Sequence, residues 1–378
     1  MDLAFSDEER ELREAARRFA RKEIAPVADR MDREDWFPRE VFRRLGEHGF
    51  LGLTLPTAWG GLGLTYVAQA LVLEEIARVS PALALSVGAH SNLFADNLAR
   101  NGTDDQRQRF LPAAACGEQI GALALTEPNA GSDPAHLRTR YSRGENGYSL
   151  RGTKTFISNA VSAGVVLVFA TSDPALGHRG ISAFIVPPRT HGFSVAQRFD
   201  KLGLRGSETT ELVLDDVSLP EDSLLGPEGG GLRIALGALT GGRVGIASCA
   251  LGVAQSAFEE LRRSVREDDT EWKRGVLARS YVELEAARAL VAQAADLKDR
   301  GEPFVDAASV AKLVASRAAV AIASAGVDVA GPASARSGAV AERLLRDARV
   351  FPIVEGTTEI QELILARRLL DPNATSNL

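Results

Sequence analysis

The sequence predicts an α+β protein, mainly helical, in which a middle β domain separates two helical domains. Apolar residues recur at helical spacing up to about residue 117, short β-rich segments follow, and the helical period returns from Gly229. A doubly wound α/β sheet would instead alternate strands and helices. We therefore expect an N-terminal helical domain at 1–117, an antiparallel β-sandwich or barrel at 118–226 and a C-terminal four-helix bundle at 227–378.

The first third of the chain carries the start and stop signals of several helices. Ser6 with Glu9, and Thr103 with Gln106, have the spacing of a capping box, in which paired side chains satisfy free backbone N–H groups. Pro81 suits the first turn of a helix, where its missing N–H costs nothing. The predicted helices run, in order, from Ser6 to Pro26, around Val41–Leu45, from Leu64 to Ser80, from Pro81 to Gly102 and onward from Thr103.

The middle of the chain has the sequence pattern of an antiparallel β domain. Its apolar segments are short, rich in β-branched and aromatic residues, and bounded by Gly, Pro, Asn or Asp. The predicted strands lie in "QIGALALTEP", "GYSLRG", "KTFIS", "GVVLVFATS", "ISAFIVPP", "GFSVAQ" and "TTELVLDDVSL". From Gly229 onward the apolar period is helical again, which predicts the third domain.

Composition excludes several classes of protein. The 378 residues are 45% hydrophobic and 25% charged, as in an ordinary soluble globular chain, and the net charge is −6 with the two signs mixed. No basic tract is present, so nucleic acid is not an expected partner. The longest apolar run, Gly164–Ala170, is too short to span a membrane, and the Ala-rich stretch 307–330 is interrupted by Lys312 and Arg317.

Cysteine usage and the N-terminus predict a cytoplasmic protein. Cys116 and Cys249 are the two cysteines, and they lie too far apart in sequence to indicate a disulfide framework or a zinc site. The opening "MDLAFSDEERELRE" is acidic and has no signal-peptide core.

Common catalytic and nucleotide-binding motifs are missing. No Gly-x-Gly-x-x-Gly follows a strand, and no Gly-Lys dipeptide occurs, so neither a Rossmann site nor a P-loop is predicted. The five histidines lack metal-ligand spacing. The segment "AVSAG" at 160–164 lacks the first glycine of a nucleophile elbow, which disfavours a serine hydrolase.

The segment "RVFPIVEGTTEIQELIL", near the C-terminus, holds the carboxylate of Glu355 next to several apolar residues. Thr358 and Gln361 fit a capping box, so we expect Thr358 to cap a helix that runs to about Leu370 and to leave Glu355 in the preceding loop. An acidic residue there has a simple explanation, since the helix dipole favours it. Among apolar neighbours, however, the pKa of Glu355 would rise toward working pH, which suits a general base acting beside a carbonyl. Gly356 would let the backbone approach a ligand closely.

Two further stretches could form a ligand site. "ALALTEPNAGSD" leaves a strand and enters a turn with hydroxyls and free backbone N–H groups, although a plain polar turn would look similar. In "RGTKTFISNA", Phe156 and Ser158 are two residues apart, so on a strand they share a face. That pair could stack on a flat ring and hydrogen-bond to its edge. A half-buried strand is the simpler alternative.

These stretches together resemble the acyl-CoA dehydrogenase family. The resemblance is collinear over almost the whole chain, and "GRVGIASCALGVAQ" looks closest to the short-chain, butyryl-type branch. The motifs that carry it are "GLTLPTAWGGLGL", "GAHSNL", "TEPNAGSD", "KTFISN", "GRVGIASCALGVAQ", "RDAR" and "VEGTTEIQ". It implies the three-domain fold predicted above, FAD as cofactor, and an acyl-CoA or acyl-carrier-protein thioester as substrate. It also implies a homo-oligomer, a dimer or tetramer, and an electron-transfer flavoprotein as the usual electron acceptor.

The resemblance implies a role for each matching residue. Glu355 would remove the α-proton of the thioester while the β-hydrogen leaves as hydride to the flavin, and its backbone N–H would help to hold the thioester carbonyl. Some relatives place the base just before Arg243, but that position here is Gly242. The matching positions are Leu125, Thr126, Phe156 and Ser158 at the flavin ring, Thr357 at the flavin phosphates, Ser132 near the thioester arm, and Arg243 and Gly356 beside the substrate.

Two segments depart from the family pattern, and both serve the adenosine-pyrophosphate half of FAD in relatives. The usual Arg-x-x-Phe-Gly element is replaced by "RRSVREDDTEWKRGVL", which has no Phe-Gly and is shorter. The usual Gln-x-x-Gly-Gly-x-Gly falls on "DVAGPAS", where Asp328 would repel a pyrophosphate and Pro332 removes a backbone donor. We expect FAD binding to be weakened or altered. A flavin-poor, non-catalytic subunit of a mixed complex is the alternative hypothesis.

Overall fold

The computed structural model describes residues 5–371 and shows a mainly helical α+β chain whose sheet lies in the middle. The helices of the first part are α1 (Asp7–Phe19), α2 (Ala25–Glu34), α3 (Arg39–Glu47), α4 (Tyr66–Ala77), α5 (Pro81–Gly88), α6 (Asp96–Asn101) and α7 (Asp104–Ala115). The strands are β1 (Ile120–Ala124), β2 (Arg140–Gly144), β3 (Gly147–Ser158), β4 (Ala163–Thr171), β5 (Ile181–Val186), β6 (Phe193–Arg198), β7 (Thr209–Leu219) and β8 (Leu224–Leu225). The last helices are α8 (Gly231–Glu267), α9 (Glu271–Asp299), α10 (Val305–Ala330), α11 (Val340–Ala348) and α12 (Thr358–Leu370).

This order confirms the predicted fold class of helical domain, β domain and helical domain. The boundaries proposed from the sequence, after 117 and after 226, lie in the connections between α7 and β1 and between β8 and α8. We retain them as a proposal for three folding units.

The N-terminal helices begin where the sequence predicts but continue past Pro26. Both predicted capping boxes are present, Ser6 with Glu9 and Thr103 with Gln106. A π-helical turn at Ala20–Ile24 joins α1 directly to α2. Pro26 therefore falls in the first turn of α2, where no hydrogen bond needs its missing N–H. The expected stop at Pro26 was wrong. The π-turn ends at Ile24 and changes the hydrogen-bond register there, so the proline falls in the first turn of a new α-helical segment.

His90 fastens the helical domain to the sheet. It lies in a second π-helical stretch, Ala89–Ala95, which connects α5 with α6. Its Nε2 lies 3.1 Å from the Ala114 carbonyl oxygen, and its Nδ1 lies 2.9 Å from the backbone nitrogen of Gly121. Nδ1 therefore accepts a hydrogen bond from Gly121, and the ring is neutral, since burial lowers the pKa of His90 to about 4. His90 is therefore a core residue whose two ring nitrogens both have hydrogen-bond partners.

The middle domain is one eight-stranded sheet in the order β6-β7-β3-β2-β4-β5-β8, with β1 paired to β4. Most pairs are antiparallel, but β4 runs parallel to β1 and, where they touch, to β2. Parallel neighbours need a long crossover, and here the β2–β3 hairpin supplies it between β1 and β4. The sheet is also almost interrupted where β2 meets β4, because those strands pair at a single position, Arg140 with Thr171.

Strand β4 is the centre of the β domain. Val165, Leu167 and Phe169 point to a cluster shared with the N-terminal helices, while the alternate residues Val166 and Val168 point into the interior of the curved sheet. A strand buried on both faces has a continuous apolar sequence rather than an alternating one. This explains the apolar run of residues 164–170.

The C-terminal domain contains three long helices, α8, α9 and α10, packed against one another. In place of a fourth long helix, the described part of the chain has the shorter α11 and α12, which pack on α10. By length and composition alone, α8 and α10 could cross a membrane. Most of the apolar window of α8 and half of that of α10 are buried within the protein, as is usual for the core helices of a bundle.

The three domains meet at Arg346, on α11. Its guanidinium binds both carboxylate oxygens of Asp32 on α2, at 2.8 and 2.6 Å, and donates to the Leu202 carbonyl in the loop between β6 and β7. The next residue, Asp347, accepts from the Leu204 N–H at 2.6 Å. Burial raises the pKa of Asp347 to about 6. The segment that precedes Glu355 is thus fixed to both other domains.

Candidate active site

The loop before α12 ends at Thr357 rather than at the predicted cap, Thr358. The Thr357 side chain accepts from the Ile360 N–H, and its backbone is extended, as a cap requires. Thr358 is already helical, and its N–H donates to the Pro352 carbonyl at 2.8 Å. The predicted cap was therefore wrong by one residue, although the helix runs to Leu370 as expected. Gln361 consequently donates to the Gly356 carbonyl, at 3.1 Å, instead of closing a capping box.

Glu355 and Gly356 are both in the left-handed region, with φ of 53° and 93°. This conformation is rare for a residue with a side chain, so Glu355 keeps it only because its surroundings impose it. The backbone of Gly356 favours glycine, and a Cβ there would also lie 2.5 Å from Nε2 of Gln361, whose side chain would have to move. Among the described residues, the N–H of Glu355 has no acceptor, which leaves it free for a ligand.

The Glu355 side chain lies across helix α8 at Gly242. A Cβ built on Gly242 would lie 1.9 Å from Oε2 and 2.8 Å from Cδ of Glu355, and 2.9 Å from Leu93. Oε2 is buried and has no hydrogen-bond partner, although the residue as a whole is partly exposed. Burial raises the pKa of Glu355 to about 8, against the opposing effect of nearby cations.

Three buried cations, one from each long helix, surround this carboxylate. They are Arg243 on α8, Lys298 on α9 and Lys312 on α10, and each favours the ionised form of Glu355. Arg243 is 4% exposed, and its Nε and Nη1 have no partner. Burial lowers the pKa of Arg243 and brings those of both lysines to about 8. Buried charged groups of both signs that lack hydrogen-bond partners are typical of a binding site for a polar ligand.

The predicted ring-binding stretches lie side by side in the β domain. The Thr155 N–H donates to the Thr126 carbonyl at 2.9 Å, which places β3 beside the turn after β1. Lys154, fully buried, donates to the Leu125 carbonyl and to Glu127 at 2.7 Å. The chain therefore brings Leu125 and Thr126 next to the strand that carries Phe156 and Ser158.

Glu127 organises the turn that follows. Its carboxylate accepts from the backbone N–H groups of Arg138 and Thr139, at 2.6 and 2.9 Å, in addition to Lys154. These bonds close the turn "TEPNAGSD" across the base of β2. Ser132 lies exposed at its tip.

Phe156 sits on a bulge that the sequence pattern did not reveal. The pairing of β3 with β7 shifts register between Lys154 and Ile157, and Phe156 has a φ of 57°. Its ring is 63% exposed and lies 4.9 Å from that of Phe199, measured between centroids. Phe156 and Ser158 flank the buried Ile157, and both keep access to solvent. An exposed aromatic ring backed by the half-buried Phe199 offers an apolar surface to a flat ring.

Sequence reasoning missed Lys298, Lys312 and Phe199. Lys312 did carry a signal: it is a cation in an Ala-rich helix, on the same face as the buried Ala308, Ala311 and Ala315. A charge on the buried face of a helix is costly, so it usually has a specific partner. Lys298 and Phe199 have no comparable sequence signal.

The two segments that depart from the expected pattern form tight structure. Helices α8 and α9 are joined by residues 268–270 alone. Asp328 lies in the last turn of α10, and Pro332 begins the 3-10 turn Pro332–Ala335. The Ser334 hydroxyl donates to the carbonyls of Val327 and Gly331, so it is engaged in ending α10.

The residues present fit a flavin and a thioester better than a metal. No group of three His, Cys, Asp or Glu able to hold a metal ion occurs within residues 5–371. The exposed Phe156 ring, backed by the half-buried Phe199, suits a flat ring, and the unpartnered atoms of Arg243 and Glu355 suit a polar substrate. The fold and these two sets of residues indicate an enzyme that binds a flat aromatic cofactor and a polar substrate.

Comparison with known proteins narrows this class. The models of the acyl-CoA dehydrogenase N-terminal, middle and C-terminal domains match residues 6–118, 122–217 and 229–370. An acyl-CoA dehydrogenase of Bacillus subtilis (strain 168) is 41% identical over 368 residues, covering 95% of this chain and 97% of that protein. The mitochondrial short-chain specific acyl-CoA dehydrogenase of Homo sapiens is 39% identical, covering 95% of this chain and 89% of that protein.

Solved structures agree with the sequence comparison. Butyryl-CoA dehydrogenase from Megasphaera elsdenii superposes with a TM-score of 0.96 at 33% identity, covering 98% of this chain and all of that one. The chain belongs to the acyl-CoA dehydrogenase family. The predicted enzyme class is thereby confirmed, and the non-catalytic alternative is not favoured.

Proposed function

We propose that this protein introduces an α,β double bond into an acyl thioester and that Glu355 is the base. The observation that carries the proposal is the carboxylate itself, whose Oε2 is buried, lacks a hydrogen-bond partner and lies against the side-chain-free surface at Gly242. A carboxylate in such surroundings binds a proton far more tightly than one in water. It can therefore accept a weakly acidic C–H proton when a ligand is present.

The backbone of the same loop supports the second step of the proposal, in which the thioester carbonyl is stabilised as the proton leaves. Because the Glu355 N–H has no acceptor within the described chain, it can donate to the thioester carbonyl oxygen. A hydrogen bond to that oxygen stabilises the enolate-like charge that develops as the α-proton leaves. We propose that Gly356, which has no side chain, lets the backbone approach the ligand, and Arg243 adds a buried positive charge near Glu355.

FAD would lie against the exposed face of β3 and supply the hydride acceptor when bound. Leu125, Thr126, Phe156 and Ser158 would hold its ring, and Thr357, at the start of α12, its phosphates. The tight α8–α9 connection and the engaged turn at Pro332 and Ser334 support weaker or altered binding of the adenosine-pyrophosphate half. We therefore expect the dissociation constant for FAD to be higher than in relatives that keep both the Arg-x-x-Phe-Gly and the Gln-x-x-Gly-Gly-x-Gly elements.

The substrate would be a short acyl thioester. The identity to a short-chain specific enzyme and the similarity to butyryl-CoA dehydrogenase support this chain length. The carrier is either CoA or acyl carrier protein, since both present a pantetheine arm. Ser132, exposed at its turn, is the residue that we propose contacts that arm.

The protein is proposed to act in the cytoplasm as a homo-oligomer, a dimer or tetramer. Exposed apolar side chains on two C-terminal helices support self-association, because such surface is usually covered. They are Trp272, Tyr281 and Val282 on α9, and Leu363, Leu369 and Leu370 on α12. An electron-transfer flavoprotein is the proposed acceptor, and neither nucleic acid nor a membrane is expected as a partner.

The visible spectrum of the purified protein tests the proposal. A bound flavin that is bleached by a short acyl-CoA or acyl-carrier-protein substrate supports it, and comparison of the two carriers across acyl lengths identifies the substrate. A protein that stays colourless in excess FAD, yet binds acyl-CoA, would instead support the flavin-poor subunit.

A further inference from the structure

Lys312 binds two backbone carbonyls of the loop that carries Glu355, one three residues before Glu355 and one immediately after it. Its Nζ donates to the Pro352 carbonyl at 3.2 Å and to the Gly356 carbonyl at 2.8 Å. The side chain crosses from α10 and is fully buried. Burying a lysine without a carboxylate in direct contact is costly, so the two carbonyls are its principal compensation.

This bridge explains how Glu355 keeps an unfavourable backbone. The residues from Pro352 to Gly356 form a closed ring with the ammonium, and the two left-handed residues lie inside that ring. Gln361 supports the same Gly356 carbonyl from α12, but it touches only one side of the loop. Removing the ammonium would free the other side.

We propose that Lys312 is a positioning residue for Glu355: its ammonium holds these two loop carbonyls, keeps the carboxylate over Gly242 and favours its ionised form. The inference rests on the proposed role of Glu355 as base. It adds a specific function for a charge on α10 that the catalytic chemistry itself does not require.

The other charged groups that act on the carboxylate are Arg243 on α8 and Lys298 on α9, and Glu355 in turn raises the pKa of the Cys249 thiol on α8. Glu359 on α12 acts on Lys312. Arg243 and Lys298 stay in place when Lys312 is changed. A change in the titration of Glu355 in a Lys312 variant therefore reports the loss of this one cation. Because a neighbouring cation favours the carboxylate, its removal raises the pH at which Glu355 ionises.

Three substitutions separate charge from hydrogen bonding. Lys312→Met removes both, Lys312→Gln keeps N–H donors without charge, and Lys312→Arg keeps both. Arg317→Met, an exposed position on the same helix, is the matched control. The readout is the infrared band of the protonated Glu355 carboxyl group, followed against pH in the purified protein and assigned by its loss in Glu355→Gln.

We expect the midpoint of that band to move up by about one pH unit in Lys312→Met and Lys312→Gln, and to stay near the wild-type value in Lys312→Arg and Arg317→Met. If Lys312→Met does not fold, Lys312→Gln gives the same test. An unchanged midpoint in the uncharged variants would overturn the inference. The titration needs no turnover, so an inactive wild-type protein with the expected shifts would refute the proposed function and leave the role of Lys312 standing.

Discussion

The carboxylate of Glu355 occupies the space that a side chain at Gly242 would fill. A Cβ at position 242 would come within 1.9 Å of Oε2, closer than any non-bonded contact allows. The loop before α12 and the middle of α8 therefore converge on one point. Residue 242 is also the position where some relatives carry the base, so both placements reach the same location in the site.

Replacing Gly242 with alanine is expected to displace the carboxylate without disturbing the fold. The α8 backbone is fixed by packing on both sides, so Glu355 must move, and a shift of about 1 Å reduces a positioned reaction by about 10²-fold. Gly237→Ala, on the same helix with nothing within 4 Å of the new Cβ, is the control. It should keep full activity and gain up to about 1 kcal/mol of stability. Equal activities of the two variants would contradict this placement of Glu355.

The rate of substrate-dependent flavin reduction is expected to rise with pH through about 8. Glu355 accepts a proton only when ionised, and burial raises its pKa to about 8. Below that value kcat/KM should fall about tenfold per pH unit. Glu359→Gln, an exposed carboxyl group on α12, should leave the midpoint unchanged. If kcat/KM does not change between about pH 6 and about pH 9, a buried carboxylate is not the base.

The raised pKa of Glu355 also makes the stability of the fold decrease as pH rises, whereas it makes the reaction rate increase. The folded protein holds the Glu355 proton more tightly than the unfolded chain, in which the pKa is near 4.5. The stability this gives is complete below pH 4.5 and is lost as pH rises through about 8. Relative to Glu355→Gln, the wild type should lose unfolding free energy over this interval, as urea denaturation at several pH values would measure.

Breaking the Lys154–Glu127 pair is expected to loosen the ring-binding part of the site. Lys154→Met leaves the Glu127 carboxylate buried without its cation, which typically costs about 3–5 kcal/mol. The double variant Lys154→Met/Glu127→Gln should recover part of that loss. Arg151→Met, an exposed ion-pairing residue on the same strand, should cost less than about 1 kcal/mol. Urea unfolding and flavin content, measured together, check both effects.

The Arg346–Asp32 contact is expected to depend on the shape of the guanidinium as well as its charge. Arg346 binds Asp32 through two nitrogens and also reaches the Leu202 carbonyl, which an ammonium cannot reproduce. Arg346→Lys should therefore lower the free energy of unfolding by about 1–3 kcal/mol. Arg317→Lys, in an exposed pair with Glu362, should change it by less than about 0.5 kcal/mol. If both variants lose a similar free energy of unfolding, the Arg346–Asp32 contact contributes no more to stability than an exposed ion pair does.

Local signals predicted the domain order and most helix starts. Capping boxes such as Ser6 with Glu9 act within one turn, so they can be read directly from the sequence. The π-turn before Pro26 and the bulge at Phe156 could not be, because each depends on packing against distant elements. The cap at Thr357 was missed because Thr358 with Gln361 fits the capping-box pattern, whereas Thr357 is followed by Ile360 at the third position and caps the helix through its hydroxyl alone.

The candidate site was predictable where a motif is continuous in sequence. Glu355 could be singled out from its apolar neighbours and the helix start behind it. Its cations could not, because Arg243, Lys298 and Lys312 come from three helices that meet only in the folded bundle. Arg243 was identified through the family resemblance, whereas the two lysines needed the structure.

Substrate-dependent bleaching in Glu355→Gln tests the central claim most directly. Glutamine fills the same space but cannot accept the α-proton, so we expect bound flavin and substrate affinity to be retained while the bleaching rate falls by at least about 10²-fold. Glu359→Gln, measured alongside, should bleach like the wild type. Bleaching at the wild-type rate in Glu355→Gln would show that a different group removes the proton.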